Sequence, residues 1–166
     1  MTEIAFLPAV ELAARIRARQ IGCLELLDHL LDRVDRHNPR LNAIVVRDVE
    51  RARARAEAAD AALARGDLWG PLHGVPMTFK ESYDMEGLPT TWGLPEFADR
   101  RAERDSTVVR RMREAGAVPF GKTNVPVLLA DWQSYNPVYG STNNPWDLTR
   151  TPGARPAAAL RPWRRD

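Results

Sequence analysis

The chain has 166 residues, of which 44% are apolar, 28% charged and 7% aromatic. That balance excludes collagen-like, coiled-coil and wholly disordered classes, and the length accommodates one domain with a sizeable core. The formal charge is +2, yet residues 154–166 hold four arginines and one aspartate and contribute +3, leaving −1 on the other 153 residues. The basic character belongs to the tail, so it does not mark a nucleic-acid surface. A single cysteine, Cys23, excludes an internal disulfide and any multi-cysteine zinc or iron–sulfur site. No stretch has the length and apolarity of a membrane span, and the N-terminus lacks the basic and apolar regions of a secretory signal, so a cytoplasmic location is expected.

In chain order, residues 8–20 and 23–37 read as amphipathic helices. In the second, Leu24, Leu27, Leu31 and Val34 fall on one face with Leu30 beside them. Asn38-Pro39 is expected to stop it, because a residue before proline is pushed out of the helical region. Leu41 to Val46 is short, apolar and β-branched, which predicts a strand. Asp48 to Ala64 reads as a third helix ending near Gly66, with Arg51, Arg53 and Arg55 on a solvated face balanced by Glu50, Glu57 and Asp60.

After Gly70 prolines and glycines become frequent, and turns and loops dominate. Leu72 to Lys80 holds Gly-Val-Pro and an apolar run ending on the lysine. Asp105 to Ala115 predicts a helix capped by Asp105 or Ser106 and stopped by Gly116. Ala117 to Phe120 predicts a strand and Gly121-Lys122-Thr123-Asn124 a turn. A short helix is expected after Pro126, then a loop from Ser134 to Asp147 rich in Tyr, Asn, Pro and Gly. Helices alternating with short strands predict an α/β fold with a sheet between helices.

Residues 116–123, Gly116-Ala-Val-Pro-Phe-Gly121-Lys122-Thr123, match the phosphate-loop pattern. Such a loop must leave a strand and open a helix, and here the order is reversed; Pro119 also removes one N–H that would face phosphate. Among the histidines, His29 and His37 have no metal-binding spacing, and His73 in a turn fits a hydrogen-bonding role. Lys80 is the informative residue. Lysine is ordinarily solvated, but this one ends the apolar run Val75-Pro76-Met77-Thr78-Phe79. Burial would lower its pKa and make it a usable base; pairing with Glu81 is the structural alternative.

The stretch Gly74-Val75-Pro76-Met77-Thr78-Phe79-Lys80-Glu81 resembles the lysine-bearing motif of the amidase signature family. The resemblance continues through Gly87-Leu88-Pro89-Thr90-Thr91-Trp92-Gly93, Asp105-Ser106-Thr107-Val108-Val109 and Ala115-Gly116-Ala117-Val118. Gly121-Lys122-Thr123-Asn124 and Gly140-Ser141-Thr142-Asn143-Asn144-Pro145-Trp146 complete it, in order and with matching gaps, over most of residues 8–153. It implies N-terminal helices followed by part of a mixed sheet flanked by helices, an incomplete amidase-signature fold.

The implied activity is hydrolysis of an amide C–N bond of a small-molecule substrate, with no cofactor, metal, nucleic acid or membrane. The chemistry is that of a Ser–cis-Ser–Lys arrangement, in which a neutral lysine takes a proton relayed through a bridging serine from a nucleophilic serine. By motif position Lys80 is the catalytic lysine.

The pattern breaks after Arg150-Thr151-Pro152-Gly153. The family's Gly/Ser-rich segment should follow, yet no serine occurs after Ser141. Both catalytic serines are then missing, and the chain alone is expected to be inactive. The domain reading is therefore 1–153 as the N-terminal part of an amidase domain and 154–166 as an aberrant basic tail. Written in GC-rich codons and reread after one inserted base past the Gly153 codon, the tail becomes Gly-Gly-Ser-Ser-Gly-Gly-Gly-Ser-Ala-Ala-Leu-Ala-Ala-Gly. A one-base deletion in the gene near that codon is the expectation. The alternative reading is a non-catalytic binding or pseudoenzyme module. Trp132-Gln133-Ser134-Tyr135-Asn136 is a candidate for lining the substrate pocket or for a structural loop.

Overall fold

The structure, a computed structural model, describes residues 4–153. Helix α1 spans Ala9–Arg17 and α2 spans Cys23–Leu41; β1 is Ile44–Arg47; α3 is Val49–Ala64. Strand β2 is Pro76–Lys80, α4 is Thr107–Glu114, and β3 is Val118–Thr123. A two-stranded ribbon follows, β4 at Tyr135–Asn136 and β5 at Gly140–Ser141. Short 3-10 turns lie at Ile4–Phe6, Pro95–Phe97 and Val127–Leu129.

Strand β3 is central, antiparallel to β1 and parallel to β2, so the three-stranded sheet is mixed. The parallel pair is joined through α4, as a crossover connection requires. Val118 and Phe120 enter a core with Ile16 of α1, Leu26, Leu27 and Leu31 of α2, and Ala52, Ala56 and Ala59 of α3. Phe79 joins a smaller cluster with Met85 and with Val109 of α4. The alanine stripe on α3 lets its backbone lie close to its neighbours, which larger side chains would forbid.

The start of α2 is closed by another helix. The Asp60 carboxylate of α3 accepts the N–H groups of Cys23 (2.7 Å) and Leu24 (3.0 Å). A negative charge there satisfies donors that the helix itself leaves open. Asp60 is thus a capping residue rather than part of a solvated face. Arg55 also departs from expectation. It is half-buried, lies over the Trp69 ring, and donates to the carbonyls of Ala117 (2.7 Å) and Arg113 (2.6 Å).

Helix α2 does not stop at Asn38-Pro39; it runs to Leu41 and closes on Asn42 in the left-handed conformation. Pro39 sits in the last turn, and the N–H it lacks would have bonded the carbonyl of Asp35, an exposed residue. The Asn38 side chain accepts from the N–H groups of Ala43 and Ile44, both 2.9 Å, and donates to Ile44 O at 2.9 Å. Those bonds offset the restriction on a residue preceding proline. Strand β1 accordingly begins at Ile44 and not at Leu41.

The expected turn at Gly121–Asn124 is mostly strand, because β3 continues to Thr123. Gly121 permits this: a Cβ there would stand 2.6 Å from the Val46 carbonyl oxygen of the neighbouring strand. With Gly116 ending α4 at φ +98° and strand following, the phosphate-loop order is absent from residues 116–123.

Candidate active site

Lys80 and Lys122 are the chain's two lysines. The register pairs Lys80 with Thr123, and Phe79 with Lys122. Since successive strand residues face opposite sides, the two amines leave the sheet on opposite faces.

Lys122 is fully buried and donates to the Pro89 carbonyl and to Thr90 Oγ1 (2.9 Å). Burial lowers its pKa to about 8 despite the nearby carboxylates of Glu81 and Asp84. It is held by the fold. Lys80 is half-buried, and its side chain makes no hydrogen bond or ion pair within the described residues. Burial lowers its pKa from the ordinary lysine value of 10.5, which raises the neutral fraction a base requires.

Glu81 is not the partner of Lys80. Its carboxylate is fully buried and accepts from the Thr91 N–H (2.6 Å), the Trp92 N–H (3.1 Å) and the Tyr139 hydroxyl (3.1 Å). The reason is again alternation along β2, which turns consecutive side chains to different faces.

Lys80 opens into a cavity of about 210 Å³ shared with Thr123, Asn124, Asp131, Gln133 and Ser134. Residues 132–136, candidates for either pocket lining or structural loop, divide between the two roles. Gln133 and Ser134 line the cavity. Asn136 is buried and structural: it donates to Asn124 Oδ1 and Val125 O, both 2.8 Å, and accepts from Val138 and Tyr139. Asn124 in turn donates to Gly140 O (3.1 Å) and Thr142 Oγ1 (3.1 Å). This network shapes the loop that forms one wall of the cavity, and the sequence does not announce it. Its only advance signal is the density of Asn, Gly and Pro between residues 134 and 147, a mark of side-chain-stabilised turns.

A larger concavity of about 700 Å³ lies at the start of α4, walled by Asp84, Glu86, Arg104 and Arg110 among others. It contains no desolvated base, and the chemistry favours the smaller one at Lys80. His73 is buried; Nδ1 accepts the Trp69 N–H (3.1 Å), which assigns the proton to Nε2, donating to Ala59 O (3.1 Å). His29 and His37 lie along α2. Among the described residues no three His, Cys, Asp or Glu side chains group so as to hold a metal ion. Cys23 is buried, its thiol pushed up to about 12 mainly by desolvation, and it is inert packing against Gly74. No helix of the described residues is long and apolar enough to cross a membrane.

A half-buried lysine at the end of edge strand β2, a mixed sheet between helices and a cavity walled by an Asn-rich loop mark an α/β fold. The family model "Amidase" matches residues 25–154, and the chain belongs to the amidase family. It is 43% identical over 151 residues to an indoleacetamide hydrolase of Bradyrhizobium diazoefficiens, covering 91% of this chain and 29% of that protein. It is 42% identical over 143 residues to a glutamyl-tRNA(Gln) amidotransferase polypeptide of Halorhodospira halophila, covering 86% and 29%. Among solved structures, a bacterial aryl acylamidase of the amidase signature family superposes with a TM-score of 0.85 at 28% identity, over 90% of this chain and 31% of that one. The chain therefore spans about 30% of the length of such relatives.

Proposed function

We propose that this chain carries the lysine part of an amide C–N hydrolase site, with Lys80 as the proton acceptor. Of the remaining groups, the bridging serine would come from a Gly/Ser-rich segment following Gly153 and the nucleophilic serine from later still in the chain. The neutral Lys80 amine takes a proton from the bridging serine, which takes one from the nucleophile. The nucleophile attacks the amide carbonyl, and the leaving amine departs with a proton returned along the same path. Water then releases the acid from the acyl-enzyme.

The observation that carries this reading is Lys80 itself, desolvated and without a side-chain partner among the described residues, opening into a cavity. The Thr151 hydroxyl donates to Gln133 Oε1, and Gln133 shares the cavity of Lys80. Thr151 is thus held beside the Lys80 cavity. The family match, which reaches residue 154 in relatives about three times as long, supports the same reading. Residues 154–166 lie outside the described residues. Their proposed origin as a shifted reading frame is tested on the gene itself: one added base past the Gly153 codon should open a Gly/Ser-rich frame. Without those serines the 166-residue chain should release no product from amides.

The experiment is ammonia release from a panel of primary amides by the frame-restored protein and by its Lys80→Ala variant. Hydrolysis that falls by about 10³-fold or more in the variant supports the reading. An active Lys80→Ala enzyme would overturn it. One observation favours the alternative, a non-catalytic binding module: Leu128, Trp132 and Trp146 are 54%, 62% and 88% exposed. A defined complex of the 166-residue chain with a protein partner, and no hydrolysis by the frame-restored protein, would select that alternative.

A further inference from the structure

Three residues near the Lys80 cavity hold a backbone conformation that side-chain-bearing residues avoid. Trp92, Leu128 and Leu129 have φ of 55°, 53° and 60°. They are linked, because the Trp92 carbonyl accepts the Leu128 N–H at 2.9 Å. Leu128 and Leu129 lie between Pro126 and Asp131, both of which line the cavity. Gly93, at φ +73°, is held against Asn136; a Cβ there would be 2.7 Å from the Asn136 Cβ. Strain of this kind persists only where the surroundings over-determine it.

The surroundings are two buried charges of opposite sign. Glu81 takes the N–H groups of Thr91 and Trp92, and Lys122 takes the Pro89 carbonyl and the Thr90 hydroxyl. Between them they grip four successive residues of one loop. Glu81 follows Lys80 directly, and Lys122 precedes Thr123, the register partner of Lys80. The Glu81 N–H also bonds Thr123 O at 2.8 Å, so both charges rise from the strand ends that carry Lys80.

We propose that Glu81 and Lys122 are positioning residues, a buried two-charge clamp that holds the 89–93 loop and, through the Trp92–Leu128 hydrogen bond, the 126–131 segment whose Pro126 and Asp131 line the Lys80 cavity. The proposal deepens the assignment of Lys80 as the base and rests on that reading. Neither Glu81 nor Lys122 touches the reacting atoms. Their effect is the shape of the cavity and the degree to which it desolvates Lys80. The charged groups around Lys122 are Glu81, Asp84 and Arg100; Asp131 is the ionisable neighbour of Lys80 within its cavity.

The test uses the chain itself and needs no catalysis. With two lysines in the sequence, lysine side-chain carbon labelling gives two resonances to follow through a pH titration. In Glu81→Gln, loss of a negative charge alone leaves the Lys80 midpoint unchanged or lowers it. Loss of the clamp admits water and raises it. The expected result is a rise of about half a pH unit or more for Lys80, while Lys122, deprived of its carboxylate neighbour, falls. Tyr139→Phe removes one bond to Glu81 and keeps the charge. It should shift Lys80 the same way by less, and it decides the matter if circular dichroism shows Glu81→Gln unfolded. A Lys80 midpoint that stays or falls in a folded variant overturns the clamp. Failure of the frame-restored protein to hydrolyse amides would instead overturn the catalytic reading and leave this titration result standing.

Discussion

Residues 9–64 and residues 70–142 are built on different physics. The first region is stabilised by apolar burial: Ile16, Leu26, Leu27, Ala56 and Ala59 are fully shielded, and of its polar side chains only Asp48 is buried. The second region buries as many polar side chains as apolar ones, the polar set including Glu81, Thr90, Thr91, Lys122, Asn124, Asn136 and Thr142. Apolar contact is non-directional and tolerates exchange of similar shapes, whereas a buried hydrogen bond fixes one geometry and is costly to leave unmade. The region that carries the candidate base is the one built to hold positions.

If that contrast is right, the largest single loss should come from Asn136→Ala, which removes the acceptor of the Val138 and Tyr139 N–H groups and the donor to Asn124 Oδ1 and the Val125 carbonyl. About 4 kcal/mol is expected from urea unfolding. Leu27→Ala, in the first region, should cost about 3 kcal/mol by transfer and cavity terms. An equal or larger loss at Leu27 would break the comparison.

The buried charge should also show in the pH dependence of stability. The Lys122 pKa is about 8 in the fold against 10.5 for a free lysine, so between those values the unfolded chain binds more protons. Stability therefore rises with pH from about 8 toward 10.5, by up to about 1 kcal/mol per pH unit. Cys23 and Tyr139 oppose it, since their raised values, both about 12, make the fold hold protons that the unfolded chain loses above about 9 and 10. The net expectation is a rise between pH 8 and 9 that flattens and reverses above it. The rise should vanish in Lys122→Met, measured by thermal unfolding across that range.

Smaller effects calibrate the first region. Asp60→Ala uncaps α2 and should cost about 1 kcal/mol by urea unfolding. Arg110→Ala removes only an exposed pair with Glu114, and a shift within about 0.5 kcal/mol is expected by the same measurement.

The same contrast explains what is legible in the sequence. The helical region announces itself by periodicity: α2 buries the face expected around Leu27 and Leu31, and Gly66 and Gly116 close α3 and α4 as expected. The mixed sheet and the amidase family are legible from motif order. Two local rules fail, both through tertiary contacts. Asn38-Pro39 does not end α2, because the Asn38 side chain satisfies the start of β1. Gly121 and Lys122 have the composition of a turn but lie in the central strand, because Gly121 admits the Val46 carbonyl and Lys122 finds acceptors more than thirty residues away. No local pattern encodes those acceptors. Glu81 departs from the expected pairing with Lys80 for the same reason, since its donors lie on a loop that β2 does not predict.

The two lysines differ in setting: Lys122 is buried and bonded within the fold, and Lys80 opens into a cavity. Competitive acylation of the folded chain at pH 8, followed by digestion and mass spectrometry, tests that difference directly. The predicted result is acylation at Lys80, with Lys122 protected until the chain unfolds. Modification of Lys122 at the rate of Lys80, or protection of Lys80 in the folded chain, would contradict it.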